Sequence, residues 1–218
     1  MNNLGKAIVW LGLVVGVVAL VVQFVIAMQA YLAAGRDIPG GLGAFFIQYT
    51  VLANIGLVLV YLSEVTGWRW LELFRKLDVT GVAVASALFV MILIHFLATN
   101  RSELTGLFRV CDITLNYVAP LIFIVWWLVA VRHGPLLVRR IPVMLLPTFV
   151  YFLVVIARGA WVQEYPYTLL DARALGYGHA LLAAVGLTLA LGAIMLIVVG
   201  VDEFLGRWSR QPRRVPAQ

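Results

Sequence analysis

Six apolar runs, at roughly residues 5–34, 44–66, 79–99, 110–131, 142–160 and 174–201, dominate the chain. Each holds about 20 residues or more, enough at ~1.5 Å per residue to cross a ~30 Å hydrocarbon core as a helix. No water meets the backbone inside lipid, so a span has to satisfy its own N–H and C=O groups, as a helix does. The two-residue alternation of a barrel strand is absent from these runs. The expected fold is an all-α integral membrane protein, a six-transmembrane-helix bundle. Composition agrees: 63% of the 218 residues are hydrophobic and 12% charged, too little charge to cover a soluble domain of this size. No segment between the runs is long enough to fold alone. Residues 1–206 therefore read as one transmembrane domain, and 207–218 as a basic flexible tail. The first run follows Lys6 as a secretory leader would, but its apolar core is too long for one, and it reads as a retained helix.

An even number of spans puts both termini on one side. That side carries 11 of the 16 Lys and Arg residues: Lys6, the loops after the second and fourth runs, and the tail. The opposite loops carry five, so the positive-inside rule expects both termini in the cytoplasm and the chain in the cell membrane. Trp68 and Trp70 in the loop GWRWLELFRKLD read as interfacial anchors. Mapped this way, the net charge of +6 lies in short loops and the tail, a headgroup-facing distribution that implies no nucleic-acid partner. Cys111 is the single cysteine and cannot form an intramolecular disulfide.

In that orientation the unusual polar residues gather at the outer end. Thr50, Asn54, Leu57, Tyr61 and Glu64 follow steps of four and three along the second run, which is one helix face. Such a Thr and Asn either bond a neighbouring helix or form a site. Asp112 and Asn116 are an i, i+4 pair followed by Pro120, whose missing donor should kink or loosen the helix near Asn116. Asp112 fits a helix-capping role and a headgroup-binding role equally. His95 shares a face with Thr99 at a depth similar to that of Thr50. Tyr151 and Arg158, seven apart, share a face of the fifth span beyond Pro147. Arg158 is expected to snorkel outward, to pair with Glu164 or Asp171, or to hold a carboxylate. At the cytoplasmic end only an exposed His133 stands out. The histidines lie on separate segments, and no metal-ligand spacing, Gly-rich phosphate loop, GxSxG or CxxC occurs, so neither a metal nor a cofactor is implied.

The loop after the fifth run reads W-x-x-x-YPY-x-x-LD-x-x-x-x-GY, with Trp161, Tyr165, Pro166, Tyr167, Asp171, Gly176 and Tyr177. Together with FFIQYTVLAN at the second run and LNYVAP at the fourth, it resembles the androgen-induced-protein family of multi-pass membrane threonine hydrolases, in particular its bacterial six-helix relatives. The resemblance implies cleavage of lipid esters, fatty acid esters of hydroxy fatty acids among them, with a Thr nucleophile at the start of the second span. Thr50 matches that position. It also implies a His base in an H-x-x-x-P motif at the start of the fourth span, where this chain reads Asn116 to Pro120.

An amide exchanges no proton near neutral pH and cannot be the base. A hydrolase reading then needs His95, with His179 or Asp112 as alternatives, and leaves Asn116 to donate to the oxyanion. Asn54, Asp112, Tyr151, Arg158, Tyr165, Tyr167, Asp171 and His179 would surround a membrane-lipid or lipid-like substrate. The alternative is a non-catalytic lipid- or metabolite-binding protein on the same fold.

Overall fold

The structure is a computed structural model that describes residues 3–97 and 104–210, giving the backbone alone for 93–97, 209 and 210. Among the described residues every regular element is a helix: α1 (Asn3–Ala33), α2 (Ile38–Phe46), α3 (Tyr49–Thr66), α4 (Leu77–Leu97), α5 (Gly106–Ile113), α6 (Ala119–Ala130), α7 (Ile141–Val162), α8 (Ala172–Leu175) and α9 (Tyr177–Arg210). One π turn, Thr114–Val118, joins α5 to α6. Five stretches are long and apolar enough to cross a membrane: Asn3–Ala33, Tyr49–Thr66, Gly106–Ala130, Val138–Val162 and Tyr177–Trp208. That is one fewer than the six runs. The third run, 79–99, falls on α4, of which Leu77–Ile92 qualifies as a shorter apolar helix, and its end lies outside the described residues.

Helix α4 is apolar all round, and such a helix belongs inside a bundle. Ala83, Val84, Ala85, Ala87, Phe89 and Val90 are all buried. Helices α3, α6, α7 and α9 pack around it. Helix α1 lies along α3 and α6 through a buried stripe of Gly5, Val9, Gly12, Gly16 and Ala19, spaced four and three apart. Small residues let two backbones approach closely. Gly12 lies directly against the ring of Tyr61, and a Cβ on Gly16 would stand 2.8 Å from Val58 Cγ2. The outward faces of α1 and α9 expose Val14, Val18, Val21, Leu182, Leu189 and Leu196, an apolar surface of the kind that lipid covers. Trp68 and Trp70 stack on each other with ring centroids 5.7 Å apart and are both exposed.

Two boundaries differ from the runs. The second run is cut in its first turn, because α2 ends at Phe46 and the chain turns at Ile47–Gln48 before α3 begins. Helix α2 forms for local reasons: the Asp37 side chain caps it by accepting from the Gly40 N–H, and Pro39 sits in its first turn. At the other end of the chain α9 continues to Arg210, past residue 206 where the tail was expected to begin. Residues 211–218 lie outside the described residues.

Candidate functional site

The corner between α2 and α3 sets the position of Thr50, the second residue of α3. Three tyrosines hold it. The Tyr151 hydroxyl donates to the Ile47 carbonyl at 2.6 Å, and the Tyr49 N–H donates to the Tyr167 hydroxyl at 2.9 Å. On the other side of the corner Gln48 Nε2 donates to the Tyr31 hydroxyl of α1 at 3.2 Å. Tyr167 thus meets one of the N–H groups that a helix start leaves unpaired. Burial pushes its phenol above the ordinary range, which keeps it a neutral hydroxyl in this role.

From that corner Thr50 faces the π turn. Its Oγ1 donates to Asn116 Oδ1 at 3.0 Å. Asn116 Nδ2 in turn donates to Asp112 Oδ1 and to the Asp112 carbonyl, both at 2.9 Å. The π turn follows from Pro120. With no N–H on Pro120 to return to Asn116, the helix loosens there, as expected, and the Ala119 N–H bonds back five residues to the Thr114 carbonyl. The Leu115 carbonyl loses its usual donor by this shift. Asn54 Nδ2 replaces it at 2.8 Å and also donates to the Thr50 carbonyl at 2.8 Å. Asn54 and Asn116 are almost fully buried, whereas Thr50 and Asp112 are partly open. Asn54 Oδ1 is buried with no hydrogen-bond partner among the described residues.

The structure therefore brings Thr50, Asn54, Asp112 and Asn116 together, and the other expected site residues whose side chains are described have different contacts. Tyr151 and Tyr167 bond backbone at the corner instead of lining a site around Thr50. The Tyr165 ring is packed against Gly159 of α7. Asp171 is a helix cap: its Oδ1 accepts from the Arg173 and Ala174 N–H groups at the start of α8. His179 is exposed in the first turn of α9. Arg158 lies against Gly43 of α2, whose Cβ would be 3.2 Å from Nη2. Of its two expected partners, Glu164 pairs with Arg36 at 2.6 Å and Asp171 is taken by the α8 cap. His95 belongs to α4, but its side chain, like all of Thr99, lies outside the described residues.

The expectation of an exposed His133 at the opposite end is overturned. Its side chain is 10% exposed, and Nδ1 lies 3.1 Å from Oδ1 of Asp202, itself 1% exposed. Asp202 Oδ2 accepts from the Gly134 N–H at 2.9 Å and the Leu136 N–H at 3.0 Å. This cluster locks the α6–α7 turn to the end of α9. The signal that could have found it is a carboxylate immediately after the last apolar run, where the helix continues and an ionisable group needs a partner.

Chemically, the Thr50 cluster is a hydroxyl, an amide and a carboxylate in sequence. The hydroxyl proton points at an amide oxygen, which can accept a hydrogen bond but not the proton itself. The first turn of α3 places the positive end of a helix beside Thr50. No family model matches the chain, and no curated protein or solved structure matches it.

Proposed function

We propose that this chain is a six-span protein of the cell membrane, both termini cytoplasmic, which binds a lipid-like molecule through Thr50, Asn116 and Asp112 at its outer end. The observation that carries this reading is the Thr50 Oγ1 to Asn116 Oδ1 bond. It commits the hydroxyl proton to an amide, so Thr50 presents lone pairs rather than a nucleophile with a base behind it. The ligand this favours has a polar head that donates a hydrogen bond, such as a hydroxylated lipid. Lipid retained through purification, identified by mass spectrometry, tests it: Thr50→Ala and Asp112→Asn should lose a hydroxyl-bearing lipid that the wild type keeps. A fluorophosphonate probe should leave Thr50 unlabelled. Turnover of a fluorogenic long-chain ester by the wild type and its loss in Thr50→Ala would overturn the reading.

A second reading has one specific observation in its favour. Thr50, Asn116 and Asp112 touch in the order of nucleophile, base position and orienting carboxylate, and Asn116 and Pro120 hold the positions of the His and Pro in the androgen-induced-protein motif. On that reading the chain belongs with those threonine hydrolases and cleaves a lipid ester, with His95 supplying the base and Asn116 binding the oxyanion. Base removal in such a site typically costs orders of magnitude in rate. For this reason the binding role is the better supported.

A further inference from the structure

Helix α3 has a second working face. Thr50 and Asn54 look toward the π turn, whereas Tyr49, Leu52 and Gly56 line a cavity of about 250 Å³ shared with Ser86, Thr148 and Tyr151. A larger cavity of about 700 Å³ continues from it between α4 and α7, lined by Leu73, Val143 and Met144 among others. Phe74, Val79, Val82 and Pro147 border both, so the two form one groove. Its walls are apolar along their length. At the inner end the Tyr49 hydroxyl is satisfied by Ser86 Oγ at 3.1 Å. At the mouth Arg140 Nη1 holds Asp78 Oδ2 at 2.5 Å. Val143 on the rim is 73% exposed, so the groove opens sideways to whatever surrounds the helices.

The charged lining of the mouth is the Arg140–Asp78 pair, and the segments beside it add more cations than anions. Arg75, Lys76, Arg139 and Arg140 lie in or next to the lining segments, against Glu72 and Asp78. A guanidinium has five N–H donors in a planar fork, so Arg140, whose side chain is 52% exposed, can hold Asp78 and still offer donors to a phosphate. A long apolar slot open to hydrocarbon, with cations at one end only, has the polarity of a membrane lipid.

We propose that this groove holds one acyl chain of an anionic glycerophospholipid drawn from the surrounding bilayer, its phosphate seated on Arg140. The groove uses the opposite face of α3 from Thr50 and its mouth lies toward the other end of the bundle, while its inner end reaches Tyr49 and Tyr151 beside the Thr50 corner. The lipid ties α4 to α7 where Pro147 removes a donor from the α7 ladder.

The test uses the full chain in phosphatidylcholine nanodiscs doped with phosphatidylglycerol carrying a mid-chain diazirine, with labelled residues mapped by mass spectrometry. Labels should concentrate on Val79, Val82 and Met144. The matching phosphatidylcholine probe should label the same residues more weakly. Val82→Trp, which fills the slot, should abolish the groove labels. Arg140→Gln, on the exposed rim, should lower the preference for phosphatidylglycerol about fivefold, the effect of removing one cation near an anionic head. Should Val82→Trp fail to fold, the Arg140→Gln preference decides. Labels spread evenly over Val14, Leu189 and the groove, or equal labelling by both probes, would overturn the proposal.

Discussion

The side-chain amide of Asn54 donates to the Leu115 carbonyl that the π turn leaves without a helical partner, at 2.8 Å. Two irregularities on different helices thus complete each other, and the second bond of the same amide, to the Thr50 carbonyl, fixes the first turn of α3. Asn54→Leu keeps the volume and removes both bonds. It should destabilise the protein by roughly 1–3 kcal/mol, the cost of a buried carbonyl left unpaired. Thermal unfolding in detergent, followed by tryptophan fluorescence, measures this; an unchanged midpoint would mean that water serves Leu115 as well as Asn54 does.

Asn116→His puts a base within reach of Thr50 and beside Asp112. If the cluster retains the geometry of a threonine hydrolase, the variant should gain ester turnover about 10²-fold or more over the wild type. The double variant with Thr50→Ala should lose it. The base works in its neutral form, so the acquired rate should rise with pH through about 6.5, or somewhat above it because of the Asp112 carboxylate. A well-folded Asn116→His protein with no turnover would show that the hydroxyl is not placed for attack.

Gly12 and Gly186 offer a matched pair. A methyl on Gly12 collides with the Tyr61 ring, whereas one on Gly186 of α9 meets nothing within 4 Å. Gly12→Ala should cost about 1–3 kcal/mol by overpacking, while Gly186→Ala should be neutral or stabilise by up to ~1 kcal/mol through helix propensity. Comparing the two unfolding midpoints removes any general effect of glycine replacement.

Asp202→Ala removes the acceptor shared by the Gly134 and Leu136 N–H groups and His133. Each orphaned buried donor costs roughly 1–3 kcal/mol, so this should be the most damaging of these substitutions. His133→Ala, which spares the two backbone bonds, should cost less. Protease sensitivity of the α6–α7 turn gives a local readout beside the global midpoint.

Much of the helical plan was legible from the apolar runs, because lipid leaves the backbone few options. The loosening at Pro120 was legible too, since a missing N–H has one local consequence. What the runs hide is where a helix turns. Residues 44–46 are as apolar as those after them, and only the capping Asp37 with Pro39 marks α2 as a separate element. Polar partners were the least legible part. Tyr49 and Tyr167 are 118 positions apart, and His133 and Asp202 are 69 apart. A tyrosine-rich loop looks like a substrate site until the Tyr167 hydroxyl is traced to the Tyr49 N–H.

The 31 residues of α1 reach about 46 Å, against a hydrocarbon thickness of ~30 Å. Such a helix leans or protrudes, and its angle follows the membrane around it. Tyr31 sits at its far end and is the hydrogen-bond partner of Gln48, two residues before Thr50. In a bilayer, a change of thickness would change the tilt of α1, and the Tyr31–Gln48 bond ties that tilt to the corner from which Thr50 is presented.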